Sequence, residues 1–173
     1  ARCAKEGWCD AGAKAKLEKL GAALDGPMVA FVHGDLYESQ VLMEGAEGVR
    51  AFIDLDTAHF DDQAHDVGSM LAHLVLVNPI SRKSSWGVDD PTPEETAASA
   101  RAFLEGYRAG AGIPDEAWTD LLARTQAFMW LRMDDLIRDL AGSPHGAPVV
   151  KALSKKRKSL LSTDPLAAIG VAQ

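Results

Sequence analysis

Two carboxylates in the first third of the chain stand where they could serve phosphoryl transfer. Asp35 follows the run FVHG, and Asp54 follows the run AFI nineteen residues later. Transfer to a hydroxyl needs a group that orients the nucleophile and accepts its proton, and oxygen atoms that hold Mg²⁺ against the phosphates. Asp35 could fill the first role and Asp54 the second. The side-chain oxygen of Gln40 would be a further donor suited to a hard cation.

A small β-structure is predicted to position these residues. The β-prone runs lie at 28–32 and 41–43, and a return strand at 49–53 follows a plausible turn at 45–48. The last two runs form a β-hairpin, and Asp35 lies in the loop before it. The acidic stretch after Asp54 carries no predicted element.

The rest of the chain shows helical periodicity. An amphipathic helix is predicted over 13–24, and others begin near Val67, at Thr92 or Pro93, at Asp115 and at Val149. The segment 78–93 is rich in Pro and Ser and is predicted to be a surface loop. Apolar residues on the third of these later helices form core: Trp118, Leu121, Leu122, Phe128 and Leu131. The predicted fold class is α+β and mainly α-helical.

Composition limits the classes of function. The chain has 173 residues, 47% of them hydrophobic, and a net charge of −7, which fits one globular domain. The negative charge argues against nucleic-acid binding, which normally needs a basic face. No apolar run is long enough for a membrane span, and no secretory signal is visible, so we expect a cytoplasmic protein. The two cysteines, Cys3 and Cys9, are expected to be free thiols rather than a disulfide.

A resemblance to a known family rests on the same segment. HGDLYESQVL, followed by IDLD, resembles the HGDxxxxN and IDxD/E pair of aminoglycoside phosphotransferases, choline kinases and homoserine-kinase-like enzymes. FLEGYRA at 103–109 is similar to a helical segment of that superfamily. The resemblance implies that Asp35 is the catalytic base, that Gln40 and Asp54 bind Mg²⁺, and that Asp66 is a buried carboxylate bracing the catalytic loop. His33 would bond to the loop backbone.

Some positions depart from the family pattern. Gln40 stands where Asn is usual; in this it is similar to maltokinase-like members, and the resemblance implies that the longer amide still reaches the metal. The usual Pro before the bracing carboxylate is replaced within 62–65. Asp56 would assist the metal indirectly or be a solvated loop carboxylate.

The resemblance also implies a nucleotide-clamping lobe ahead of the catalytic one. The sequence has no G-x-G-x-x-G loop and no strand-borne lysine of that kind. We therefore interpret residues 1–12 as a tail or linker remnant, 13–165 as a kinase-like C-terminal lobe, and 166–173 as a tail. The N-terminal lobe is expected in cis in a longer protein, and the alternative is a truncated, inactive relative.

The function expected from the resemblance is ATP-dependent phosphorylation of a hydroxyl on a small polar acceptor, cationic or sugar-like. Asp134 and Asp135 are candidate substrate contacts, because they follow an apolar helical segment where relatives place such contacts. The pairs at 61–62 and 89–90 are predicted to be solvated, and the basic run 155–158 to be an exposed helix face. The alternative function is a non-catalytic, kinase-like binding scaffold.

Overall fold

The computed structural model describes residues 15–16, 18–19, 21–22, 29–45, 48–78, 91–143, 146–160, 164 and 166–171. Its strands form two separate antiparallel pairs, β1 with β4 and β2 with β3. The strands are β1 (Ala30–Val32), β2 (Val41–Glu44), β3 (Gly48–Phe52) and β4 (His59–Asp61). The helices that follow them are α1 (Ala64–Ala72), α2 (Pro93–Ala111), α3 (Asp115–Ala141) and α4 (Ala147–Leu160).

The predicted fold class, α+β and mainly helical, is confirmed. The hairpin of β2 and β3 forms as predicted, with Val41 opposite Phe52. Strand β4 was missed, because its acidic and histidine-rich sequence lacks an apolar alternation. It pairs with β1 so that Phe31 faces Phe60, and the two rings meet edge to face at 5.6 Å. The loop that carries Asp35 therefore begins at the end of a strand that β4 holds in place by pairing.

The helix boundaries follow ordinary capping chemistry. Thr92 caps α2 through a capping box, because its hydroxyl accepts a hydrogen bond from the backbone N–H of Glu95 and its own backbone N–H donates to the Glu95 carboxylate. Gly112 ends the same helix in the left-handed conformation, with φ of 62°. Helix α1 begins three residues earlier than the periodicity predicted, and a π-helical turn, His73–Val77, continues it.

The core lies between α1 and the long helix α3. Gly68 permits their close approach, since a Cβ placed there would lie 2.5 Å from Cβ of Phe128. Fully buried side chains from four helices complete the same cluster: Val67, Leu71, Leu104, Leu122, Met129, Met133 and Leu153. The predicted core stripe on α3 is largely buried, although Trp118 and Leu131 remain half-exposed.

Parts of the sequence-based prediction fall outside the described residues. Of the helix predicted over 13–24, residues 15–16, 18–19 and 21–22 are helical. The two cysteines, the pair at 89–90 and most of the predicted loop at 78–93 are not described. Within the parts of the chain that are described, none of the helices combines the length and apolarity that crossing a bilayer requires.

Candidate active site

The loop after β1 is held by one carboxylate from α1. Asp66 accepts a hydrogen bond from the backbone N–H of His33 at 2.7 Å through one oxygen and from that of Gly34 at 3.0 Å through the other. Bonds from two neighbouring N–H groups to one ionised carboxylate are strong and directional. The family resemblance had implied a buried carboxylate, but Asp66 is half-buried. The two bonds fix the direction in which the backbone enters Asp35.

Gly34 is required where the loop turns. Its φ is +81°, a region that L side chains rarely adopt, and a Cβ there would lie 2.4 Å from the carbonyl oxygen of Thr57. The hydroxyl of Thr57 in turn donates to the carbonyl oxygen of His33 at 2.9 Å. The loop that carries Asp35 is thus packed against the short 3₁₀ turn that follows Asp54. No sequence signal had pointed to Thr57.

A chain of hydrogen bonds connects this loop to the hairpin. The side chain of His33 is buried, and its Nε2–H donates to the carbonyl oxygen of Ile53 at 2.8 Å. The N–H of Ile53 donates to the carbonyl oxygen of Gln40 at 3.0 Å. Both backbone groups of Ile53 are therefore hydrogen-bonded, which places the next residue, Asp54, beside the side chain of Gln40.

The side chains of Asp54 and Gln40, predicted to bind Mg²⁺, lie in direct contact. Gln40 is 4% exposed, and its side-chain amide lies 3.1 Å from Oδ2 of Asp54. The amide nitrogen faces the carboxylate, and turning the amide over would bring its oxygen to the same place. Two oxygens at right angles on an octahedral Mg²⁺ are about 2.9 Å apart. The residues present therefore fit a hard cation.

Asp54 has an unusual backbone conformation. Among the described non-glycine residues, it is the one with positive φ, at 62° with ψ of 55°. A left-handed conformation at a residue with a side chain costs about 1–2 kcal/mol, and such strain concentrates at functional sites. The bonds that hold Ile53 maintain this turn. Asp56, two residues on, is exposed and makes no contact that would assign it a role.

Asp35 meets an arginine that sequence reasoning did not single out. A terminal nitrogen of Arg132 on α3 lies 2.5 Å from Oδ1 of Asp35, whose side chain is 30% exposed. Arg132 is the one charged residue in the apolar run 127–133, and that isolation was the available signal. A buried helix face rarely carries a charge without a partner. The arginine orients the carboxylate and balances its charge.

Two further side chains surround this ion pair. Nε of Arg132 donates to Nε2 of His73 at 3.2 Å, so His73 must be neutral to accept the bond. Burial, together with the nearby Arg132 guanidinium, lowers the pKa of His73 from 6.5 to about 3. The ring of Tyr37 stacks on His73 with centroids 4.4 Å apart. Burial and then the charge of Asp35 raise the pKa of Tyr37.

The predicted substrate contacts, Asp134 and Asp135, engage arginines of their own chain. Arg157 and Arg138 contact Asp134, and Arg138 also contacts Asp135. Arg157 belongs to the basic run of α4, was predicted to be exposed, and is 6% exposed. Its guanidinium lies 6.0 Å from the ring centre of Trp130. Asp134 thus joins α3 to α4, and Asp135 shares the side of α3 that Arg132 occupies.

Asp62 corrects the expectation that the pair at 61–62 is solvated. Its side chain is 1% exposed, and its carboxylate accepts from the N–H of Ala64 at 2.9 Å and from Arg124 at 2.5 Å. It caps the first turn of α1, the turn that carries Asp66. The ion pair with Arg124 also ties this turn to α3.

The mainly helical fold with its small antiparallel sheets is consistent with a kinase-like C-terminal lobe. The family model described as "Phosphotransferase enzyme family", abbreviated APH, matches residues 1–122 of this chain. That match covers more than half of the sequence, and the chain belongs to this family. No curated protein and no solved structure gives a significant match.

Proposed function

We propose that this protein is an ATP-dependent phosphotransferase that moves the γ-phosphoryl group to a hydroxyl of a small polar acceptor. The observation that carries the proposal is the contact between the side chains of Asp54 and Gln40, with 3.1 Å between the amide nitrogen and a carboxylate oxygen. This contact lies beside the loop whose backbone N–H groups donate two hydrogen bonds to Asp66. Family membership makes phosphoryl transfer the reaction to test first.

Each residue has a task in this proposal. Asp54 and Gln40 hold Mg²⁺, which when bound neutralises charge on the phosphates. Asp35 accepts the proton of the acceptor hydroxyl and orients its oxygen towards the phosphoryl group. Asp66 and His33 keep the loop in place, so that little reorganisation is needed when the acceptor arrives.

Arg132 has a proposed role beside Asp35. Its contact holds the carboxylate in one rotamer, and its positive charge balances the negative charge of Asp35. An acceptor hydroxyl must approach the oxygen of Asp35 that Arg132 does not contact. His73 keeps Arg132 in place without adding a second positive charge, because burial holds it neutral. Asp135, one helical turn after Arg132, remains a candidate contact for a cationic acceptor.

An apolar face supports a proposed second lobe. Large side chains on the strands and the following turn are exposed: Val29, Phe31, Met43, Val49, Phe52, Leu55 and Phe60. Phe31 and Phe60 are 64% and 70% exposed. A cavity of about 570 Å³ opens beside them, between the strands and α2. Soluble proteins rarely leave such a patch uncovered, and a nucleotide-binding lobe in cis would cover it and complete the ATP site.

The decisive experiment measures ADP formation. A protein that includes the proposed nucleotide lobe is incubated with ATP, Mg²⁺ and panels of aminoglycosides, amino alcohols and sugars. We expect acceptor-dependent ADP release that Asp35→Asn removes, while the isosteric change leaves the fold intact. Absence of ADP release across the panel, with ATP shown to bind, would contradict the proposal.

The rival proposal is a kinase-like scaffold that binds without catalysis. The observation that favours it is the ion pair between Asp35 and Arg132, because a base already engaged by an arginine is less available to a hydroxyl. A scaffold would bind its ligand equally well with Asp35→Asn and would release no ADP.

A further inference from the structure

A second group of possible metal ligands lies apart from the Asp54 and Gln40 pair. His59 and Asp61 on β4 and His65 on α1 each offer one ligand atom, and these atoms lie within 4.8 Å of one another. Nδ1 of His65 is 2.9 Å from Oδ2 of Asp61, and Nε2 of His59 is 3.4 Å from the same oxygen. Ligands on a tetrahedral zinc ion with bonds of about 2.0–2.1 Å are about 3.3 Å apart. The second of these distances is close to that spacing and the first is shorter, and the three atoms lie near enough together to hold one ion.

The hydrogen bond that His59 makes to Thr57 leaves its second ring nitrogen facing the carboxylate of Asp61. Nδ1 of His59 lies 2.7 Å from the carbonyl oxygen of Thr57, so Nδ1 carries the proton that is donated. In the neutral ring Nε2 then presents a lone pair, and it faces the carboxylate oxygen of Asp61. Two acceptors face each other there, which is unfavourable unless a positive charge lies between them. A metal ion bound by both groups would supply that charge.

Surrounding contacts orient the ligands as outer-shell groups orient them in metal sites. The other oxygen of Asp61 accepts the N–H of Asp62 at 2.8 Å. The ring of His65 stacks on Phe128, with centroids 4.9 Å apart and 12° between the planes.

We propose that His59, Asp61 and His65 bind one zinc-like transition-metal dication, with water completing its coordination. Two imidazoles and one carboxylate suit zinc and its neighbours, whereas Mg²⁺ prefers an all-oxygen set such as Asp54 with Gln40. The side chains of His59, Asp61 and His65 are 47%, 28% and 26% exposed, which leaves room for water and for entry of the ion.

The bound ion would affect the loop that carries Asp35 indirectly, through the elements that support it. It ties β4 to the first turn of α1, one residue before the brace at Asp66. Cε1 of His59 would be 3.2 Å from a Cβ at Gly34, so the ring also packs against the loop backbone. The ion would stiffen the support of the loop and takes no part in phosphoryl transfer.

The test is a metal titration that does not depend on activity. The chain is stripped with chelator, in a background with Cys3→Ser and Cys9→Ser because thiolates also bind zinc. Zn²⁺ is added in a calorimeter, and Co²⁺ is added while visible absorption is recorded. We expect one ion per chain, a tetrahedral cobalt spectrum, and an affinity at least about tenfold weaker in His59→Gln and in Asp61→Asn.

Asp54→Asn serves as the matched control, because it alters the proposed magnesium pair and leaves the cluster untouched. It should bind Zn²⁺ as the parent does. Zn²⁺ should also raise the Tm of the parent by more than it raises that of His59→Gln at the same Zn²⁺ concentration. Equal Zn²⁺ binding by the parent and both cluster variants would overturn the proposal.

Discussion

His73 should make the protein lose stability in mild acid. Its pKa is about 3 in the folded chain and about 6.5 when exposed, so below pH 6.5 the unfolded state binds more protons. The stability that His73 contributes is therefore complete above pH 6.5 and is lost progressively as pH falls towards 3. At pH 5 the gap of about 1.5 pH units corresponds to about 2 kcal/mol of unfolding free energy. Protonation would also remove the acceptor that holds Arg132 beside Asp35.

Urea unfolding followed by tryptophan fluorescence at pH 7.5 and pH 5 measures this effect. The variant His73→Gln keeps an acceptor near the position of Nε2 but cannot take up the proton. Between the two pH values the wild type should lose about 2 kcal/mol more than the variant. Equal losses would refute the reasoning, because other groups would then account for the whole pH dependence.

Further predictions use pairs of glycines as matched controls, and the last concerns ATP. Gly34→Ala should destabilise the chain by about 1–3 kcal/mol more than Gly45→Ala in urea unfolding, because both have positive φ but only the first meets a backbone carbonyl, that of Thr57. Gly68→Ala should destabilise by about 1–3 kcal/mol, whereas Gly106→Ala, which meets nothing within 4 Å, should stabilise by about 0.5–1 kcal/mol. Equal effects within either pair would contradict the close approaches. Calorimetry on the 173-residue chain should find Mg²⁺-ATP binding no tighter than about millimolar, because the proposed nucleotide lobe would supply most contacts, and micromolar binding would contradict that.

The sequence predicted those elements whose periodicity and caps are local. The helices from Thr92 onward and the hairpin came from such signals, and the observed boundaries differ by a few residues at most. Strand β4 could not be predicted, because only its pairing with β1 makes a strand of the polar segment that contains His59 and Asp61. Its stability is tertiary, and local propensity does not report it.

The candidate site divides in the same way. The loop and hairpin residues followed from motif spacing, and the structure brings Asp54 to Gln40 and Asp66 to the loop backbone. The contact of Asp35 with Arg132 crosses nearly a hundred residues of sequence, and no spacing rule reaches that far. Asp62 was misread because a carboxylate beside another looks solvated until a partner such as Arg124 is known.

The most direct test of the central claim measures ATP binding and turnover in paired variants of a protein that includes the nucleotide lobe. Asp54→Ala should abolish Mg²⁺-dependent ATP binding, because a metal ligand acts in the ground-state complex. Asp35→Ala should keep the affinity and lose turnover by about 10²–10⁴-fold, because a base acts mainly in the transition state. Glu44→Ala, on the exposed hairpin, should change neither quantity. Equal loss of ATP affinity in the Asp54 and Asp35 variants would contradict the account.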